Sequence, residues 1–163
     1  MRTLLIEDRE KIDAVIRSCK TCYLAVCEHD HPYVLPMNFA LDGDCIILHS
    51  AQEGKKWETM KMNPRVCVTW VSGEDLAWQD ISVGCSYRVV SRSVIAEGDV
   101  EFVEEFEDKV SCMEKLMAQY SSLPFKFSRP AICNVGVIRV HIRKISARDF
   151  GTKAGPFRKK PEK

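Results

Sequence analysis

The chain has 163 residues, 45% hydrophobic and 29% charged, with a formal net charge of +1. That length suits one domain with its own core, and the composition excludes wholesale disorder, collagen-like repeats and low-complexity polymers. A charge so near zero argues against a nucleic-acid coat, no stretch carries the ~18 apolar residues of a membrane helix, and the acidic turn at Glu7-Asp8 is unlike a signal peptide, so a cytoplasmic location with neither nucleic-acid nor membrane partners is expected.

Ile12, Val15, Ile16 and Cys19 follow helical spacing and predict a helix over residues 8–19, with Asp8 as N-cap. Tyr23–Cys27 reads as a strand, closed by a polar tip at Glu28-His29-Asp30-His31. Tyr33–Leu41 is extended, and Pro32 and Pro36 place part of it at a sheet edge or bulge. Asp42-Gly43-Asp44 is a hairpin turn, returned by Cys45–His49. Residues 52–62 give a loop and a short helix stopped by Asn63-Pro64. Val66–Val71 is a strand, 73–80 a polar loop, 81–96 β-like with a bulge at Gly84, and Asp99–Val103 continues as strand. Phe106, Val110, Met113, Leu116, Met117 and Tyr120 mark a second helix. A Pro-containing loop (Pro124, Pro130) precedes the last strand, Val135–Ile142, with a short extension around Ile145.

The pattern predicts a mainly β protein, a small antiparallel barrel of six or seven strands with two or three appended helices. Residues 1–150 form this domain, and the basic tail at 151–163, net +4, is expected to be mobile.

Eight cysteines stand at 19, 22, 27, 45, 67, 85, 112 and 133. Only Cys19 and Cys22 make a C-x-x-C pair, and nothing supplies the other half of a zinc site, so no metal is expected. Cys27, Cys45, Cys67 and Cys133 lie in or beside apolar runs and read as small buried hydrophobes. His29 and His31 read as a solvated turn, and His141 should point away from the core. The seven acids of residues 97–108 read as a solvated face.

The stretch that carries chemistry is Leu48-His49-Ser50-Ala51-Gln52-Glu53-Gly54-Lys55-Lys56-Trp57. A strand ends, a loop of small residues follows, and a helix starts among lysines. Free N–H groups and the helix dipole at such a start favour an anion, above all a phosphate. Residues 54–65 hold Lys55, Lys56, Lys61 and Arg65 against Glu58, a local net of +3. This is neither a Walker loop nor a dinucleotide fingerprint.

Pro32–Phe39, Ile47–Lys56 and Met62–Cys67, in register with Arg92-Ser93-Val94-Ile95-Ala96-Glu97-Gly98 and Val137–Ile142, resemble the pyridoxamine-phosphate-oxidase-like flavin-binding split barrels, and within them the nitroimidazole-resistance type. The resemblance spans residues 1 to about 150. It implies a six-stranded split barrel, FMN as cofactor, and a homodimer with a flavin site at each end of the interface. It places the FMN phosphate at Lys55 and Lys56, with Ser50 and Ala51 nearby, and the flavin ring along Pro36, Met37, Asn38 and His49. Arg92 and Ser93 of the partner subunit would close the site. His49 is the candidate catalytic residue. The basic pair and the C-terminal Trp and Arg pattern of true pyridoxamine-phosphate oxidases are missing, so vitamin B6 oxidation is not implied.

The expected function is an FMN-dependent oxidoreductase that reduces small acceptors such as nitroimidazoles and other nitroaromatics, with NAD(P)H or another donor. The alternatives are a non-catalytic flavin or haem carrier or sensor, a related enzyme of other substrate, and a bare barrel used for protein contacts.

Overall fold

The computed structural model describes residues 3–151 and the backbone of Arg158–Lys159. β1 (Leu4–Ile6) leads into α1 (Arg9–Ser18). β2 (Cys22–Glu28) and β3 (His31–Met37) form one hairpin, β4 (Phe39–Asp42) and β5 (Cys45–Ser50) a second, and α2 (Lys55–Met62) follows. The long strands β6 (Arg65–Trp78) and β7 (Arg88–Val103) pair with each other. α3 (Phe106–Ala118) and α4 (Arg129–Asn134) precede β8 (Gly136–Asp149). β9 (Arg158–Lys159) pairs with Ala77–Trp78; the remainder of the basic tail from residue 152 lies outside the described residues.

The strands run in the order β3-β2-β6-β7-β8-β5-β4, with β1 beside β8 and β9 beside β6. β3 and β4 stand at opposite ends of this hydrogen-bonded path, yet only Asn38 separates them in sequence. The path therefore curls until its two ends meet, which gives a barrel split at the β3–β4 junction. With β3 and β4 taken as one interrupted strand, the wall has six. The Tyr120 hydroxyl sits at the split: it accepts from Phe39 N at 2.8 Å and donates to Lys20 O at 3.1 Å.

Alternation explains the inner core. Cys22, Leu24 and Val26 of β2, Val66, Val68 and Trp70 of β6, Val94 and Ala96 of β7, and Ile138 and Val140 of β8 point inward. Phe39 packs edge-on to Trp70, with ring centroids 5.5 Å apart. α1 seals one end with Ile12, Val15 and Ile16, and its N-cap Asp8 accepts from Glu10 N at 3.0 Å. α3 and α4 cover a second cluster outside the barrel, on Ala40, Ile47, Val103 and Val137. β5 is thus buried on both faces around Ile46–Leu48, which is why that run is continuously apolar rather than alternating.

Four features differ from the sequence expectation. Residues 73–78 are strand, because β6 and β7 stay paired past a register shift at Ser72/Asp75; residues 73–76 are exposed, where polar side chains carry no penalty, and Ala77 and Trp78 are buried. Residues 84–86 are a 3-10 turn, held nearby by Ser86 Oγ donating to Asp80 O at 2.7 Å. The bulge expected at Gly84 lies instead at Glu97/Gly98, where any Cβ on Gly98 would run into the His141 carbonyl. α4 makes a fourth α-helix, begun by the Ser128 side chain accepting from Ala131 N and by Pro130 in its first turn.

Candidate functional site

β5 ends at His49 and Ser50, which lie opposite Val137 and Gly136 of β8. Gly136 is required here: a Cβ would come within 2.6 Å of the Trp57 ring, which packs over the strand and meets Phe102 at 4.5 Å between centroids. That close approach fixes the first turn of α2 beside the end of β5. Gln52 ties the intervening loop to the end of α4, donating to Cys133 O at 2.7 Å and Val135 O at 3.1 Å. Ser50 Oγ donates to Ala51 O at 2.7 Å.

The start of α2 differs from that of α1. Its N-cap, Gly54, has φ 90° and provides no side-chain acceptor. The first intrahelical bond runs from Glu58 N to Gly54 O at 3.1 Å, so the N–H groups of the preceding residues are not committed to the helix. Lys55 Nζ lies 5.3 Å from the centre of the Tyr33 ring, which brings α2 and β3 to the same corner. Lys56 is half-buried, and that burial lowers its pKa.

His49 is partly buried, and its Nδ1 is fully buried with no hydrogen-bond partner. Burial first, and the Lys56 charge second, push its pKa below the ordinary imidazole value. The ring is therefore neutral at pH 7, with a nitrogen that lacks its partner inside the protein.

At the end of β3 and the junction after it, Pro36 and Asn38 are exposed at the split, whereas the Met37 side chain belongs to the inner core, leaving its backbone toward the edge. Arg92 and Ser93 lie elsewhere. They pair with Asp149 and Arg148, while His49 and Ser50 pair with Val137 and Gly136. On the order of 40 Å of strand separates the two groups at ~3.3 Å per residue. Arg92 Nε lies 3.4 Å from Asp149 Oδ2 and borders a cavity of 560 Å³ beside β1 and α1. Ser93 shares the outer face of the sheet with Val71 and Ile95.

The sequence profile of the pyridoxamine 5'-phosphate oxidase family matches residues 8–149. The chain belongs to the pyridoxamine 5'-phosphate oxidase family. A solved structure of this fold, a "putative 5-nitroimidazole antibiotic resistance protein" from Bacteroides thetaiotaomicron VPI-5482, is 34% identical, with a TM-score of 0.82 over 92% of this chain and 89% of that one. The flavocytochrome Anf3 from Azotobacter vinelandii is 17% identical, with a TM-score of 0.77 over 97% of this chain and 73% of that one. A FAD-binding protein from Mesorhizobium loti is 21% identical, with a TM-score of 0.68 over 93% and 100%. These last two share the fold. No curated protein matches the chain. No helix among the described residues is long and apolar enough to cross a membrane.

A flavin phosphate suits this family member's own residues. The uncapped start of α2, two lysines and an unpartnered imidazole nitrogen converge at the end of β5. Other features were hidden in the sequence. Lys144, Arg143 and Arg139 on β8 pair with Glu97, Asp99 and Glu101 of the acidic run, so that face is charge-matched across strands. Among the cysteines, Cys22 is buried with its pKa pushed up to about 12 by burial, a structural thiol, and Cys19 donates to Val71 O at 3.3 Å. Cys133, expected inside, is exposed, and Cys27, Cys45 and Cys67 are only partly buried.

Proposed function

We propose that this protein is an FMN-binding oxidoreductase of the cytosol that passes electrons to small acceptors of the nitroimidazole and nitroaromatic class. One observation carries the reading. A neutral histidine with an unsatisfied buried nitrogen and an uncapped, lysine-flanked helix start stand at the same strand end. The name of the Bacteroides relative, at 34% identity over 92% of the chain, supports the acceptor class.

Lys55, Lys56, Ser50 and the N–H groups at the start of α2 would hold the phosphate. Pro36, the Met37 backbone and Asn38 would border the ring. When bound, the flavin would supply the two-electron chemistry of the reaction. His49, kept neutral, presents a hydrogen-bonding nitrogen to the ring or the acceptor without adding a second positive charge beside Lys56. The apolar inner wall behind β5 keeps water from that side of the site.

The working unit in this reading is a homodimer. Tyr23, Val34, Val71 and Ile95 share one outer sheet face and remain 45%, 58%, 39% and 42% exposed. Contiguous apolar surface of that kind marks an interface. Ser93 lies on it, so a second copy docked there can bring Arg92 and Ser93 to a site that a single chain leaves far from them.

The partly buried His49 imidazole would also suit a haem iron, which makes a carrier the second reading. Visible spectra of the purified protein separate the two, and mass spectrometry of the released ligand separates FMN from FAD. Bleaching by NADH with recovery on adding a nitroimidazole supports the enzyme. A colourless protein that ignores both added FMN and haem overturns both readings.

A further inference from the structure

Away from the flavin corner, a second group of side chains is arranged for chemistry. Cys45 at the start of β5 lies opposite His141 in β8, and its Sγ is 3.2 Å from His141 Nδ1. On its other side His141 Nε2 meets Glu101 Oε2 of β7. Arg139 Nη1 holds the second oxygen of that carboxylate at 3.2 Å, and Arg139 Nη2 reaches Asp108 at 3.8 Å. Both carboxylate oxygens of Glu101 are thus engaged, which fixes its orientation.

The hydrogens follow from chemistry. An ionised carboxylate only accepts, so Nε2 of His141 carries the proton and donates to Glu101. In the tautomer with its proton on Nε2, Nδ1 is the acceptor and the Cys45 thiol donates to it. This is a nucleophile beside a base, with the base oriented by a carboxylate. Burial, with Asp42 next, raises the Cys45 pKa, so the resting group is a thiol and its proton must leave as it attacks. The surrounding charges are matched in pairs: Asp42 with Lys115, Asp44 with Arg9, and Asp99 with Arg143.

We propose that Cys45 is a modification site, a thiol that His141 activates as general base and Glu101 positions, and that it exchanges with low-molecular-weight disulfides. Cys45 Sγ attacks one sulfur of the disulfide R–S–S–R. A new Cys45–S–S–R bond forms as the old S–S bond breaks, and the Cys45 proton passes through His141 Nδ1 to the departing sulfur, which leaves as R–SH. Cys45 is oxidised and the departing sulfur reduced, with no other reactant. Free thiol reverses the step. Among the described residues no other cysteine has its sulfur on an imidazole nitrogen, although Cys85 and Cys133 are more exposed.

The test uses the whole protein with hydroxyethyl disulfide, a neutral probe, followed by mass spectrometry of peptides near neutral pH. Cys45 should be modified ahead of Cys85 and Cys133. H141A should react ~100-fold more slowly, the low end of what a positioned base supplies, and added imidazole should restore part of that rate, with C45S as the blank. Modification of Cys85 or Cys133 in preference to Cys45 would overturn the proposal, as would an unchanged rate in H141A. If H141A does not fold, E101Q takes its place: an unchanged Cys45 rate there contradicts a base positioned by Glu101.

Discussion

His49 joins burial to charge at a single residue. Its folded pKa lies below the unfolded one, because burial and Lys56 both oppose the protonated ring. The unfolded chain therefore binds a proton first on acidification. The stability linked to this group is complete above the unfolded value near 6.5 and is lost as pH falls through the lower folded value. Thermal melts of the apoprotein should show a smaller loss between neutral and mildly acid pH for His49→Gln than for wild type; identical pH slopes would mean the ring is not desolvated. The corner around His49 was legible in the sequence because it is local: strand, loop and helix start run consecutively from Leu48 to Trp57. The Cys45–His141–Glu101 group was not, since its members come from three strands. Each read alone as a buried thiol, an outward histidine and a solvated acid. Only the register of β5, β8 and β7 joins them.

Two contacts between elements hold the site in place. Gly136 lets Trp57 lie against β8, so Gly136→Ala should push the first turn of α2 away. The expected cost is about 1–3 kcal/mol from overpacking, read as a lower Tm, together with weaker FMN binding in fluorescence titration. Loss of stability with unchanged binding would separate Trp57 from the site. Tyr120 bridges α3 to the split between β3 and β4. Tyr120→Phe leaves the Phe39 N–H without its acceptor and should cost about 1–3 kcal/mol in denaturant unfolding. Helical spacing announced Tyr120 only as part of an apolar stripe. Its hydroxyl task depends on where the barrel opens, which periodicity does not encode. The β6–β7 arm was missed for a related reason: residues 73–76 are all exposed, so no alternation marks them, and burial resumes only at Ala77 and Trp78.

At the scale of the molecule, the sheet accounts for both the barrel and its opening. The sequence already implied a small antiparallel barrel, because hairpin signals follow one another without regular helical crossovers. Its closure through Asn38 became visible only in the strand order. The same order sends His49 and Arg92 to opposite ends of β7 and β8, and the proposed dimer is what would unite them. Ile95→Glu places a charge in the middle of the exposed apolar face and should convert a dimer to monomer in sedimentation while leaving the inner core intact. A wild type already monomeric at micromolar concentration would contradict the proposed dimer. The proposed flavin at the β5–α2 corner is read out by FMN titration of the purified apoprotein by fluorescence. Wild type should bind one FMN per chain, and Lys55→Ala with Lys56→Ala should lose that binding while keeping its melting transition. Wild-type protein that leaves FMN fluorescence unchanged, or a double variant that binds as tightly as wild type, would contradict it.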